Sequence, residues 1–188
     1  MSDEQSAEKD AGLFALAPVA YADVSDDGLY RYTLGRRWGV GPAATFIMLN
    51  PSTADASQDD PTIRRCIGFA KAFECDGLHV ANLYAYRATK PADLWKAADP
   101  VGPDNDETLR SAFHTAARER GPVIAAWGAN ANPLRAQFVA VIARSAGVTL
   151  AALGVTKDGA PRHPLYLPAS AEPSPWTCPT SPGSGHDQ

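Results

Sequence analysis

Short apolar runs alternate with helical patterns through the middle of the chain. "ATFIMLN", residues 44–50, is a continuous apolar run of the kind seen in a strand buried on both faces. "GLHVANLYAY" (77–86), "VIAAWG" (123–128) and "VTLAALGV" (148–155) read as further strands. "LYRYTLGRRWG" (29–39) alternates with period two and suggests a short strand or hairpin. Between the runs lie amphipathic helices. "DPTIRRCIGFAKAF" opens on Asp60 as N-cap and Pro61 in the first turn, and Ile63, Ile67, Ala70 and Phe73 then share a face. "DNDETLRSAFHTAARER" has acids in its first turn and arginines in its last, and Gly121-Pro122 stops it. "NPLRAQFVAVIARSAG" is the third helix.

This alternation predicts an α/β three-layer sandwich with a central, mostly parallel four-stranded sheet. Residues 1–12 read as a disordered N-terminus, 13–168 as a single domain, and 169–188 as a flexible tail rich in Pro, Ser and Gly. In open sheets of this class the site lies at the carboxyl ends of the strands. Those ends are Asn50-Pro51, Asn82-Leu83-Tyr84, Trp127-Gly128 and the loop around Arg162-His163-Pro164, so their polar residues should converge on one edge.

Composition narrows the chemistry. Of 188 residues, 45% are hydrophobic and 20% charged, ordinary values for a globular domain. No apolar run approaches the ~20 residues of a membrane span. The opening "MSDEQSAEKDAG" is acidic, unlike a signal peptide, so a cytoplasmic monomer with no membrane partner is expected. Cys66, Cys75 and Cys178 are irregularly spaced and fit no zinc, iron–sulfur or disulfide pattern. No cofactor and no metal are expected. The net charge of -4 argues against loose nucleic-acid binding but leaves room for a local basic face.

Taken in order, the four strand ends resemble the motif series of the uracil-DNA glycosylase superfamily. "MLNPS" is similar to the Asn-Pro form of its first motif, found in the mismatch-specific, thymine-DNA glycosylase-like branch. "HVANLYAYRATKP" resembles the strand whose terminal Asn reads the flipped base, "VIAAWGANA" the strand ending in Trp-Gly, and "RHPLYLP" the His-Pro loop with its apolar wedge. The block "MLNPSTAD...DDPTIRRC" also resembles the signature of a bacterial family of uncharacterised domains. The iron–sulfur members of the superfamily use four cysteines, and this chain has three.

The resemblance implies a DNA glycosylase. Asn50 would orient the attacking water, Asn82 would read the Watson–Crick edge, and His163 would donate to the base O2. Leu167 would fill the gap left by the flipped nucleotide. Two departures from the uracil-specific pattern stand out. The catalytic place holds Asn50, which cannot act as a general base. The place of the tyrosine that bars the pyrimidine C5 position holds Ser52. The implied substrate is therefore a 5-substituted pyrimidine, with glucosylated hydroxymethylcytosine of phage DNA the boldest candidate and phage defence the corresponding role. Pro51 would lie in the pocket floor and Tyr84 beside the base, with Tyr86 and Trp127 as further aromatics, Trp127 better suited to the core. Asp55 or Asp59 would serve if an aspartate activates water, while Asp60 reads as a helix cap. Arg64, Arg65, Arg87, Lys157 and Arg162 suit phosphate contacts. Two alternatives stay open: a base-binding module without chemistry, and a hydrolase of free modified nucleotides, which the acidic net charge suits.

Overall fold

Successive residues of β3 (Ala43–Met48) face opposite layers. Phe46 and Met48 join one apolar cluster with Ile63, Cys66 and Phe69 of α1 (Pro61–Ala72). Ile47 joins another with Leu94 of α2 (Pro91–Leu94), Leu109 and Phe113 of α3 (Asn105–Glu119) and Val139 and Ile142 of α4 (Pro133–Ser145). The three expected layers result from that division. The structure is a computed structural model that describes residues 18–52 and 54–179. The expected disorder of residues 1–12 lies outside the described residues.

The sheet is larger than the sequence pattern predicts. It is mixed and has seven strands, β1 (Val19–Val24), β2 (Arg31–Arg37), β3, β4 (Gly77–Asn82), β5 (Val123–Ala125), β6 (Leu150–Ala152) and β7 (Ser174–Pro175), in the spatial order β1-β2-β4-β3-β5-β6-β7. Adjacent strands β4, β3, β5 and β6 are parallel and correspond to the four apolar runs. β1 and β2 extend one edge antiparallel, and β7 extends the other. The four-stranded expectation is corrected because β1 is almost wholly exposed and β7 is only two residues long. Neither offers a buried face for a hydrophobic pattern to register.

The expected loose tail also needs correction as far as its tryptophan. Trp176 is buried, donates from Nε1 to the Gly159 carbonyl at 2.9 Å, and packs edge-on against Trp127 with ring centres 5.1 Å apart. A ring of this size outweighs the Pro- and Ser-rich composition around it.

Strand β3 is flanked by β4 on one side and β5 on the other, so the connections leaving β3 and β4 diverge. Such a switch point opens a crevice at the carboxyl ends of the strands. The start of α1, which borders that crevice, is fixed as predicted: Asp60 Oδ1 accepts the Ile63 N–H at 2.8 Å, and Pro61 sits in the first turn.

Candidate functional site

A cavity of about 510 Å³ opens at this switch point. Asn50 enters from the end of β3, Asn82 from the end of β4, Trp127 and Gly128 from the end of β5, and His163 from the loop beyond β6. Arg31, Ser52, Asp60 and Arg162 are among its other polar lining residues, with Asn130 and several threonines. The convergence expected of the strand ends is therefore present. A smaller cavity of about 280 Å³ lies at the amino ends of β3 and β4, around the Arg37–Glu119 ion pair.

Asn82 is 1% exposed, yet among the described residues neither Nδ2 nor Oδ1 has a hydrogen-bond partner. A buried amide left unpaired costs about 1–3 kcal/mol, so something must repay it. The backbone around it is tightly held. Asn105 Nδ2 donates to the carbonyls of Asn82 and Leu83, at 3.2 and 3.0 Å, and Arg135 Nε donates to Leu83 O at 2.8 Å. These two residues position the strand end, and no sequence signal points to them.

Asn50 is oriented differently. Its Nδ2 donates to Pro51 O at 2.9 Å and Ala88 O at 2.8 Å, which uses both amide hydrogens. Its Oδ1 is thereby the group left to accept from a ligand or a water. His163 is half-buried, and its Nδ1 accepts the Leu165 N–H at 3.3 Å. The proton of the neutral ring is therefore on Nε2, which serves as a donor. Burial pushes the His163 pKa below its ordinary value of 6.5, and the charge of Asp60 opposes that only in part.

Arg31 is a site residue that sequence reasoning misses. It is 3% exposed, and its guanidinium donates from one terminal nitrogen to Ala54 O, while Nε has no partner among the described residues. Burial lowers its pKa from 12.5 to about 10 despite Asp60 nearby. Among the described residues it forms no ion pair. Arginine at the first position of a strand has no motif, so only the fold could place it here. Arg36 pins the same polar loop to β2, through Asp55 O at 2.6 Å and Asp59 Oδ1 at 2.7 Å. The abrupt end of β3 thus leads into a loop clamped by two arginines of β2.

Several expected site residues stand elsewhere. Asp55 is outside the cavity: its Oδ1 accepts from Ser57 N, Ser57 Oγ and Gln58 N, and these bonds hold its pKa below 3.8. It is a turn former. Asp59 is taken by Arg36. Tyr84 is buried in the α3/α4 cluster, edge-on to Trp95, because the chain has turned away from the cavity after Asn82. Pro51 is buried and is not on the cavity lining, so it does not form the pocket floor; its carbonyl accepts from Asn50 Nδ2 and from Ala88 N. Ser52 does line the cavity.

Leu167 is only 8% exposed and belongs to the α1-side core, so it cannot serve as a wedge. The exposed apolar groups at the rim are Leu165 and Tyr166, 43% and 73% exposed. The intervening 3-10 turn, Pro164–Tyr166, pulls the leucine inward. Arg65 stacks on Phe69 at 4.9 Å and donates to Leu167 O, tying α1 to this loop rather than facing solvent. Arg64 donates to Asp59 O and Arg87 to Gly28 O at 3.2 Å. Arg162 lines the cavity, and exposed Lys157 comes directly after its wall residue Thr156. Trp127 is both core and wall, and Gly128 takes φ 77°, a conformation suited to glycine.

The family model described as protein of unknown function (DUF1643) matches residues 31–165. The chain belongs to this family. The matched span opens on Arg31 and closes on Leu165, so it includes every residue named on the cavity lining except Tyr166. No curated protein and no solved structure matches the chain. Among the described residues no helix is long and apolar enough to cross a membrane.

The His163 geometry sets a pH dependence. Its depressed pKa means the unfolded chain takes up a proton first as pH falls below 6.5, so the folded state loses stability from there down to the folded pKa. Buried His79, also depressed, acts in the same direction. The depressed carboxylates Asp27, Asp55 and Asp93 act only below 3.8. Thermal melts between pH 7.5 and 5 should show a falling melting temperature, and His163→Gln should flatten part of that fall. An equal slope in wild type and variant would refute the assignment.

Proposed function

We propose that this protein is a monofunctional DNA glycosylase that hydrolyses the N-glycosidic bond of a 5-substituted pyrimidine and leaves an abasic site. The observation that carries this reading is Asn82: a buried amide at a strand end, on a residue that lines the cavity, with donor and acceptor both unpaired among the described residues. An amide offering both functions matches the donor–acceptor edge of a pyrimidine. The resemblance of the four strand ends to the uracil-DNA glycosylase motifs gives the same assignment from the sequence side.

The remaining groups fit the chemistry. His163 Nε2–H is suited to the base O2 as negative charge develops on departure. Asn50 Oδ1 accepts from the attacking water. Arg162 and Lys157 provide positive charge at the mouth for the DNA backbone, and Leu165 and Tyr166 replace Leu167 as apolar groups that enter the gap in the stack. A cavity of about 510 Å³ falls within the roughly 300–1,000 Å³ typical of pockets for sizeable ligands, and is far larger than a bare pyrimidine ring requires. Ser52, Asn130 and Arg162 place polar groups on its largely apolar wall, which suits a bulky substituent carrying its own polar groups, such as a glucosylated hydroxymethyl group. An enzyme that removes such bases would act against modified phage DNA.

Incubation with duplexes containing uracil, hydroxymethylcytosine or its glucosylated form, followed by alkali, tests this directly. Strand breaks are expected at the 5-substituted pyrimidines and fewest at uracil. Unbroken DNA in every case would refute the glycosylase. Retarded mobility without breaks would instead favour a base-binding module, and base release from free nucleotides alone would favour a nucleotide hydrolase.

A further inference from the structure

Hydrolysis at a sugar C1′ needs an acceptor for the proton of the attacking water and negative charge beside the oxocarbenium-like sugar. Asn50 provides neither. Asp55 is outside the cavity and Asp59 is paired to Arg36. Among the described residues that line the cavity, Asp60 is the one carboxylate. Its Oδ1 caps α1, and Oδ2 makes no hydrogen bond to any described residue. Asp60 shares that lining with Arg31 and His163, and its negative charge acts on both. Cap and cavity-lining roles are compatible because a carboxylate has two oxygens.

We propose that Asp60 is the catalytic base, with Oδ2 accepting the proton of the attacking water; this rests on the glycosylase reading above. Asn50 Oδ1 accepts the water's other hydrogen, so the two groups leave an oxygen lone pair directed at the sugar. The C1′–N1 bond breaks and its electron pair leaves on the base, stabilised by His163 Nε2–H. The water oxygen bonds to C1′ and its proton passes to Oδ2. That proton then returns through solvent to the base anion, so one water is consumed and the carboxylate is restored. Because the cap fixes Oδ1, the chain holds Oδ2 in place before substrate arrives.

Asp60→Asn isolates this role, since asparagine caps a helix about as well as aspartate. The variant should melt as wild type and bind modified duplex DNA as wild type, but release base at least about 100-fold more slowly, within the usual range for general-base loss. Asp60→Ser keeps a capping oxygen and opens space, so added formate should restore part of its activity. Base release by Asp60→Asn within about threefold of wild type would overturn the proposal while leaving the glycosylase reading intact. So would a loss that tracks a lowered melting temperature with no formate rescue of Asp60→Ser. Wild-type protein that forms no abasic site on any duplex would remove both.

Discussion

Asn82→Leu is expected to abolish base release and at the same time raise the melting temperature. The Asn82 amide is buried, with both polar atoms unpaired among the described residues. Leucine has a similar volume and no polar atom to satisfy, and neighbours such as Met48, Val80 and Trp127 are apolar. Removing the unpaired groups should therefore stabilise the fold by about 1–3 kcal/mol. In a domain of this size each kcal/mol moves the melting temperature by about 2–4 °C. Base release should fall at least about 100-fold, because the base would lose its donor and acceptor together in a site shielded from water. Opposite signs for stability and activity distinguish a recognition residue from a structural one. A variant both less stable and inactive would mean that Asn82 supports the fold, and the functional assignment would fail.

The same trade-off explains how polar groups accumulate here. Arg31 Nε joins the two Asn82 atoms as a third unpaired group on one cavity, and the Arg31 charge has no ion-pair partner among the described residues. Burying a guanidinium without an ion pair costs free energy that the Ala54 carbonyl and the Asp60 charge offset only in part. Substrate binding would return the rest, which makes affinity depend on polar groups in the ligand as well as on the ring.

The layers and the strand ends were legible because they depend on local pattern. A run such as "FIMLN" must be buried on both faces, and the helices between runs force parallel neighbours, so Asn50, Asn82, Trp127 and His163 arrive on one edge. The Asp60 cap was equally local. What was not legible depends on direction or on distant packing. Tyr84 is only two residues past Asn82, yet the chain carries it to the other layer. Leu167 is turned inward by a 3-10 turn that its spacing from His163 does not reveal. Arg31 lies on a strand that pairs with β4 antiparallel, a neighbour its own sequence does not specify. Asp60 reads as a cap because one oxygen does cap, and the second oxygen acquires meaning only once the cavity is in view.

The second large effect is expected far from the cavity, at Gly121. A Cβ there would lie 1.9 Å from the Ala43 carbonyl oxygen and 2.9 Å from its carbon, both backbone atoms that no rotamer can move aside. This close approach helps fasten the start of β3. Glu119 Oε2 accepts the Ala43 N–H at 3.1 Å, Glu119 Oε1 pairs with Arg37 at 2.7 Å, and Pro122 O accepts the Thr45 N–H at 2.9 Å. Gly121→Ala must push β3 away from these partners, so it should cost about 3 kcal/mol or more, at the severe end for a single substitution. Gly68→Ala is the matched control. Gly68 lies on the exposed side of α1 with nothing within 4 Å of an added Cβ, so alanine should stabilise by about 0.5–1 kcal/mol through the backbone entropy it removes. Urea denaturation of the two variants should move the midpoint in opposite directions. The strand fastened at Ala43 is the one that delivers Asn50, so base release by Gly121→Ala should fall in step with its folded fraction, whereas Asn82→Leu loses activity while fully folded. A Gly121→Ala midpoint equal to wild type would show that the start of β3 can shift without cost, and the rigid placement of Asn50 would lose its physical basis.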